Sequence, residues 1–220
     1  MKNTFQTISV SEDTKIYEII SAYVESDSDL ILIDETSVFS QPHLELLTDY
    51  PRSTTTALIA PLYEGETRAT GGRVVGASSS FHIAGGGNST FVGVLRLSQN
   101  QREEVIETLT AASKSDIKGN ALDLVLVALV RAGVFVGTAE VSFAPYIRSK
   151  DARMREKIRV EIESLNEARL RLKMANRAND GFFSVFVLRK FSKLFTWAAV
   201  RLRVTPNQIT LISFGIGLLS

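Results

Sequence analysis

The sequence predicts an α/β domain followed by a long helix, an amphipathic juxtamembrane helix and the start of a transmembrane helix. Three observations carry that reading. Short apolar runs bounded by turn residues alternate with helix-like stretches through residues 1–147, the pattern of a sheet with helices packed on it. A charged stretch free of Gly and Pro follows, from Ile147 to Ala178. From Val204 to Ser220 no charged residue occurs.

The elements of the first part follow in order. Leu30-Ile31-Leu32-Ile33 is an apolar run ending at Asp34, which reads as a buried strand delivering an acid at its carboxyl end. A lone strand-end Asp is usually a turn or cap residue. Pro42 to Leu47 suggests a short helix, and Ala57-Leu58-Ile59-Ala60 a second buried strand. Arg73 to Gly76 and Ser80 to Ile83 suit the arms of a hairpin, Gly85-Gly86-Gly87 marks a loop, and Thr90 to Leu97 reads as another strand.

Ser98-Gln99-Asn100-Gln101 has capping-box spacing and predicts a helix to about Ala112. Asn120 is placed to cap an apolar helix over Ala121 to Ala132, with Gly133 ending it. That run is too short to span a bilayer and reads as a core helix. Val134 to Phe143 supplies one or two last strands.

Charge divides the chain. Arg148 to Arg203 holds 15 Lys+Arg against 6 Asp+Glu, and residues 1–147 hold 10 against 18. An acidic body, a basic collar and an uncharged apolar end is the order expected where a soluble domain meets the cytoplasmic face of a membrane. No cysteine occurs, which excludes disulfides and thiolate metal sites. With only two histidines, His43 and His82, a metal or acid–base centre would rest on carboxylates. Met1-Lys2-Asn3-Thr4 has no apolar run behind it, which argues against a secretory signal.

Four segments result: a domain over 1–147, a linker helix over 148–179, a juxtamembrane helix over 180–204 and a truncated first span over 205–220. In the linker helix, Arg159–Glu163 and Glu167–Arg171 are opposite charges at neighbour spacing. In the juxtamembrane helix, Val187, Phe191, Leu194, Phe195, Ala198 and Leu202 share one face, while Arg189, Lys190, Lys193 and Arg201 gather on the other with Trp197 near them. Such a helix lies in the bilayer interface with its cations at phosphate level. Thr205, Pro206 and Gln208 then form an N-terminal cap signature ahead of Leu211 to Ser220. Pro206 to Ser220 is 15 residues, against about 20 for a span.

Asp180-Gly181-Phe182-Phe183-Ser184, Arg189-Lys190-Phe191-Ser192 and Thr205-Pro206-Asn207-Gln208-Ile209-Thr210 together resemble the segment leading into the CDP-alcohol phosphotransferase fold. The resemblance implies a parent membrane enzyme that makes a phospholipid or phosphodiester from a CDP-activated lipid or alcohol, using divalent metal (Mg or Mn). It further implies that Asn207 and Thr210 approach the nucleotide; charge assigns Arg189, Lys190, Lys193 and Arg201 to lipid phosphates. The family's signature, D-x-x-D-G-x-x-A-R followed by G-x-x-x-D-x-x-x-D, does not occur in this chain, so no catalytic or metal-binding residue for that reaction is expected here.

Leu30 to Asp34, Ala57 to Pro61, Gly72 to Val75 and Val92 to Leu97 look like strands of the nucleotidyltransferase-like domain that some members of that family carry in front. A working enzyme of that kind would show an L-x-A-G-x-G-x-R loop and a Pro-Lys, and neither is present. The expectation is a degenerate, structural or regulatory domain on the cytoplasmic side (residues 1–204), with the lipid membrane as partner, a homodimer compatible and no nucleic acid. Two alternatives stand beside it: a non-enzymatic membrane-anchored adaptor and a nucleotidyltransferase in its own right.

Overall fold

A computed structural model describes residues 5–48, 54–79, 82–115, 117–141, 144–166 and 170. The chain divides into two units, Met1–Leu170 and Arg171–Ser220, and the described residues belong to the first. The linker beyond Leu170, the juxtamembrane helix and the first span therefore lie outside the described residues. Among the described residues no helix is long and apolar enough to cross a membrane.

The first unit is built on a mixed seven-stranded sheet in the order β1-β2-β7-β4-β8-β6-β5. Its strands are β1 (Gln6–Val10), β2 (Leu30–Asp34), β4 (Thr56–Gly65), β5 (Thr67–Thr70), β6 (Arg73–Ala77), β7 (Gly87–Leu97) and β8 (Gly137–Glu140). A two-residue strand, β3 (Ser37–Val38), pairs antiparallel with β9 (Ile147–Arg148) beside it. The helices are α1 (Ile16–Glu25), α2 (Gln41–Thr48), α3 (Arg102–Ser113), α4 (Ala121–Ala132) and α5 (Ala152–Glu163). β1, α1 and β2 form a parallel crossover, with Gln6 opposite Leu30 and Val10 opposite Asp34, which brings both strand ends to one edge.

The sheet separates two cores. Leu30, Leu32, Ala57, Ile59 and Leu95 face α1, α3 and α4, while Ile31, Leu58, Val92 and Val94 face the side of α2. That alternation along β2, β4 and β7 is the two-residue period of a strand buried on both faces. α4 is the main packing element of the first core, with seven buried residues including Leu122, Val125, Leu126 and Leu129. The Asn120 side chain accepts from Leu122 N at 2.9 Å, and Gly133 ends the helix at φ +83, as the sequence predicts.

Four expectations are corrected. Arg73 to Gly76 is one arm of a hairpin, but its partner is β5, through the turn at Gly71-Gly72. Ser79 and His82 form only an isolated bridge, and Ser80 and Phe81 lie outside the described residues. The Ser98 capping box does not form, because Ser98 N donates to Thr55 Oγ1 and the Gln101 side chain is taken by Thr55 N and Phe135 O. Ser98 heads a 3-10 turn over Gln99–Gln101, and α3 follows. The helix expected from Ile147 starts later, since Ile147 and Arg148 are pulled into β9 and Asp151 caps α5 through Arg153 N at 2.8 Å. Within α5, Arg159 pairs with Glu156 rather than Glu163.

Candidate functional site

Asp34 ends β2 with 1% of its surface exposed, and every atom of its carboxylate is engaged. Oδ1 accepts from Thr36 N at 2.8 Å and from the Thr36 hydroxyl at 2.6 Å. Oδ2 accepts from Arg148 Nε at 3.0 Å, from Arg148 Nη2 at 2.6 Å and from Asn120 Nδ2 at 2.9 Å. The other end of the Arg148 guanidinium donates to Asp123 Oδ1 at 2.6 Å. One arginine therefore bridges two carboxylates, one from the end of β2 and one from the first turn of α4. Burial alone would push the Asp34 carboxyl up. The Thr36 hydroxyl, the Arg148 charge and the Thr36 amide outweigh it and hold the group below its usual range. Burial likewise lowers the Arg148 guanidinium, and the hydrogen bond and charge of Asp123, followed by Asp34, more than restore it.

The backbone makes room for that arginine at Gly93. The register of β4 against β7 shifts between Ala57–Leu95 and Ile59–Phe91, so β7 carries extra residues in a bulge, and Gly93 sits in it at φ +85. The β2–β7 ladder ends just there, at Ile33–Val94, which leaves the end of β2 unpaired on its β7 side while β1 still pairs with it at Val10. A Cβ on Gly93 would stand 2.3 Å from Ser37 Oγ and 3.0 Å from Arg148 Cδ. The guanidinium lies 5.4 Å from the Phe91 ring centroid, within cation–π range.

Asp34, Thr36, Asn120, Asp123 and Arg148 line an open cleft of about 580 Å³ that also takes in Glu12, Gly119, Ser149 and Lys150. Lys150 pairs with Glu12 across it, both largely exposed. At the β1 side the cleft is bounded by the turn Ser11-Glu12-Asp13-Thr14-Lys15. This turn is closed on itself: Ser11 N donates to Thr14 Oγ1 at 3.0 Å, and the two hydroxyls meet at 3.1 Å. The N-terminus of α1 is served by its own Glu18, whose carboxylate accepts from Lys15 N at 3.3 Å. A strand-to-helix turn is the ordinary place for a phosphate cradle of glycine N–H groups. This one has no glycine and presents Glu12 and Asp13.

A divalent cation does not fit the cleft as it stands. A carboxylate offers about four acceptor positions, and Asp34 already accepts five bonds. Among the described residues no group of three or more His, Asp or Glu side chains could hold a metal ion. His43 is buried with Nδ1 3.1 Å from Ser40 Oγ. Gly85 and Gly86 form a turn, with Gly86 at φ +68, and Gly87 serves packing: a Cβ there would lie 1.8 Å from Gly65 O, so it allows β4 and β7 to approach.

Asn207, Thr210, Arg189, Lys190, Lys193 and Arg201 lie outside the described residues. Of the groups that line the cleft, the sequence singled out Asp34 as a strand-end acid and Asn120 as a cap, and both are so placed. Arg148, Asp123 and Gly93 carried no role in the sequence reading. The lone glycine inside the Val92–Leu97 run was the available sign, since such a glycine marks a bulge or a close approach.

No protein-family profile matches the chain, and no curated protein does. The described domain has a nucleotidyltransferase-like fold. It is similar to the inositol-1-phosphate CTP transferase from T. maritima, at 16% identity and a TM-score of 0.50 over 67% of this chain and 62% of that one. The CTP:phosphocholine cytidylyltransferase from Streptococcus pneumoniae matches at 12% identity and a TM-score of 0.47, over 67% and 63%. The chain thus spans a little over three-fifths of the length of these solved structures.

Proposed function

We propose that this chain is a nucleotidyltransferase-fold regulatory domain leading into a membrane CDP-alcohol phosphotransferase, and that its cleft receives a cytidine nucleotide without transferring it. The observation that carries the loss of transfer is the acidic, self-bonded turn after β1. Nucleotidyl transfer needs the triphosphate held and its developing charge neutralised, whereas this turn offers no glycine N–H cradle, and Glu12 in the cleft wall already holds Lys150. The fold similarity to a CTP transferase supports the nucleotide class. The Thr205-Pro206-Asn207-Gln208-Ile209-Thr210 segment supports the membrane assignment, with Asn207 and Thr210 toward the nucleotide and Arg189, Lys190, Lys193 and Arg201 at lipid phosphates on the cytoplasmic side. Mg or Mn would belong to the acidic signature of the phosphotransferase part.

The second reading, an active nucleotidyltransferase, is favoured by the same fold and by two carboxylates at one cleft. Incubating the full chain with CTP, Mg and inositol 1-phosphate separates the two. No pyrophosphate above the protein-free control is expected, and sustained release would establish the active enzyme. For the membrane assignment, the reading frame after Ser220 is expected to encode D-x-x-D-G-x-x-A-R, and its absence there would remove the phosphotransferase reading.

A further inference from the structure

We propose that the outer edge of β1 is a docking site for an extended peptide rich in Lys or Arg, which adds to the sheet as one further strand. The proposal does not depend on what the cleft binds.

β1 ends the sheet, and among the described residues it pairs with β2 alone. Gln6 N donates to Asp29 O at 3.2 Å, and Val10 O accepts from Glu35 N at 3.1 Å. Backbone groups alternate in direction along a strand. Gln6, Ile8 and Val10 therefore aim theirs at β2, and Thr7 and Ser9 aim theirs away from it. The side chains of Thr7 and Ser9 are exposed as well. Sheet edges are ordinarily protected by charge, proline or a bulge. Gln6-Thr7-Ile8-Ser9-Val10 carries neither charge nor proline, and its register on β2 runs without a shift. Thr7 and Ser9 thus each present an N–H and a C=O in strand geometry, the arrangement that accepts an added strand.

Charge around the edge selects the partner. Phe5 to Asp29, which forms β1, α1 and their connections, holds six Asp and Glu against one Lys, Lys15. Ile19 and Tyr23 are the buried side of α1, and Ile16 lines a groove with residues of α3 and α4. α4 in turn packs on β6 and β7, away from β1. At about 100° per residue, Glu18 and Glu25 fall on the opposite flank of α1, above the β1 edge, and both are exposed. Asp13 follows the C-terminal end of β1, and Asp27 lies just before β2, beside the N-terminal end of β1. A second copy pairing here would set these carboxylates against their own kind, which is costly at a contact. A basic strand meets them with opposite charge. Ile8 packs toward the α1 side, so every second side chain of the added strand passes beside Ile8 and beneath Glu18 and Glu25. Cations belong at those alternate positions. Main-chain bonds give the affinity, and the alternate cations give the selectivity.

The probe is a fluorescent, acetylated peptide of alternating Thr and Lys, about eight residues long, titrated into the full chain at low salt. Saturable binding is expected, with the amides of Thr7 and Ser9 exchanging about tenfold more slowly in the complex and those of Ile8 and Val10 unchanged. Ser9→Pro removes an outward N–H that the β1–β2 ladder does not use. It should weaken binding about tenfold, as should Glu25→Lys combined with Asp27→Lys. The same peptide N-methylated at every backbone nitrogen keeps its charges but cannot pair as a strand. It tests the edge without any variant, should Ser9→Pro fail to fold, and no binding is expected of it. Equal binding of the methylated peptide would overturn the added strand, leaving attraction by charge alone. Failure of the unmethylated peptide to bind would overturn the proposal outright. A wild-type dimer with Thr7 and Ser9 already protected, and converted to monomer by Ser9→Pro, would overturn it by giving the edge to a second copy.

Discussion

Gly93→Ala tests whether the bulge in β7 exists to seat Arg148. The residue holds φ at +85, where an L side chain costs about 1–2 kcal/mol. The new methyl would stand 2.3 Å from Ser37 Oγ and 3.0 Å from Arg148 Cδ. Ser37 cannot simply swing aside, because its hydroxyl donates to Val92 O at 2.6 Å, and Arg148 is held at three nitrogens. Overpacking of that kind costs about 1–3 kcal/mol. Against these stands a gain of about 0.4–1 kcal/mol from the stiffer unfolded chain. The expected net loss is about 1–4.6 kcal/mol, which in a domain of this size lowers Tm by roughly 2–18 °C.

Chemical and thermal unfolding of the full chain, followed by far-ultraviolet circular dichroism, measures it. Adding Ser37→Ala to Gly93→Ala removes the oxygen nearest the new methyl and leaves the backbone strain in place. The double variant should therefore be more stable than the sum of the single changes predicts, by about 1 kcal/mol in a double-mutant cycle. A Gly93→Ala loss under 1 kcal/mol, or strict additivity with Ser37→Ala, would refute the account of the bulge.

Two further predictions concern charge. Asp34 titrates below its ordinary value when folded, so the folded state binds its proton less readily than the unfolded state. The stability it contributes is fully present above the unfolded value of 3.8 and is lost as pH falls through the lower folded value. Stability against pH should accordingly fall less steeply in Asp34→Asn than in wild type below pH 3.8, and parallel curves would refute the assignment. Arg96 is 2% exposed and donates to Leu47 O at the end of α2 and, at 2.9 Å, to Thr54 O, with Asp29 at 3.7 Å. Arg96→Met should cost about 2–4 kcal/mol in denaturant unfolding, the penalty for leaving these buried acceptors bare, and a loss under 1 kcal/mol would show that the guanidinium does not hold α2 to β4.

What could be read from the sequence divides by the range of the interaction. Leu30–Asp34 and Asn120–Gly133 were readable because their apolar periods, caps and stops all lie within a few residues of one another. β1 was not, because its Gln-Thr-Ile-Ser-Val run has only Val10 fully buried and it owes its existence to pairing with β2. Gly71 and Gly72 likewise turn a chain whose first arm, Thr67–Thr70, is short and polar, so β5 as the partner of β6 shows only in the fold. Ile147 and Arg148 read as the start of a helix because their neighbours are helix formers. Contacts with Ser37 and Val38, far back in the chain, override that propensity.

Asp34 shows both ranges in one side chain. Its Oδ1 makes the local turn with Thr36 that a strand-end aspartate commonly makes, and this half was foreseen. Its Oδ2 meets Asn120 and Arg148, which are distant in sequence, and nothing around Asp34 announces them. The consequence for function follows from the same atom. Read locally, Asp34 is an acid at a strand end beside a cleft, open to a cation; read in the fold, it is an acid already neutralised by the segment that leads out of the domain. On the proposed reading, the absent glycine loop and the occupied carboxylate are independent departures from a working transfer site, one visible in the sequence and one only in the structure. A single restoration should therefore not produce activity: Arg148→Gln frees Asp34 but leaves the turn after β1 without a glycine cradle for a triphosphate.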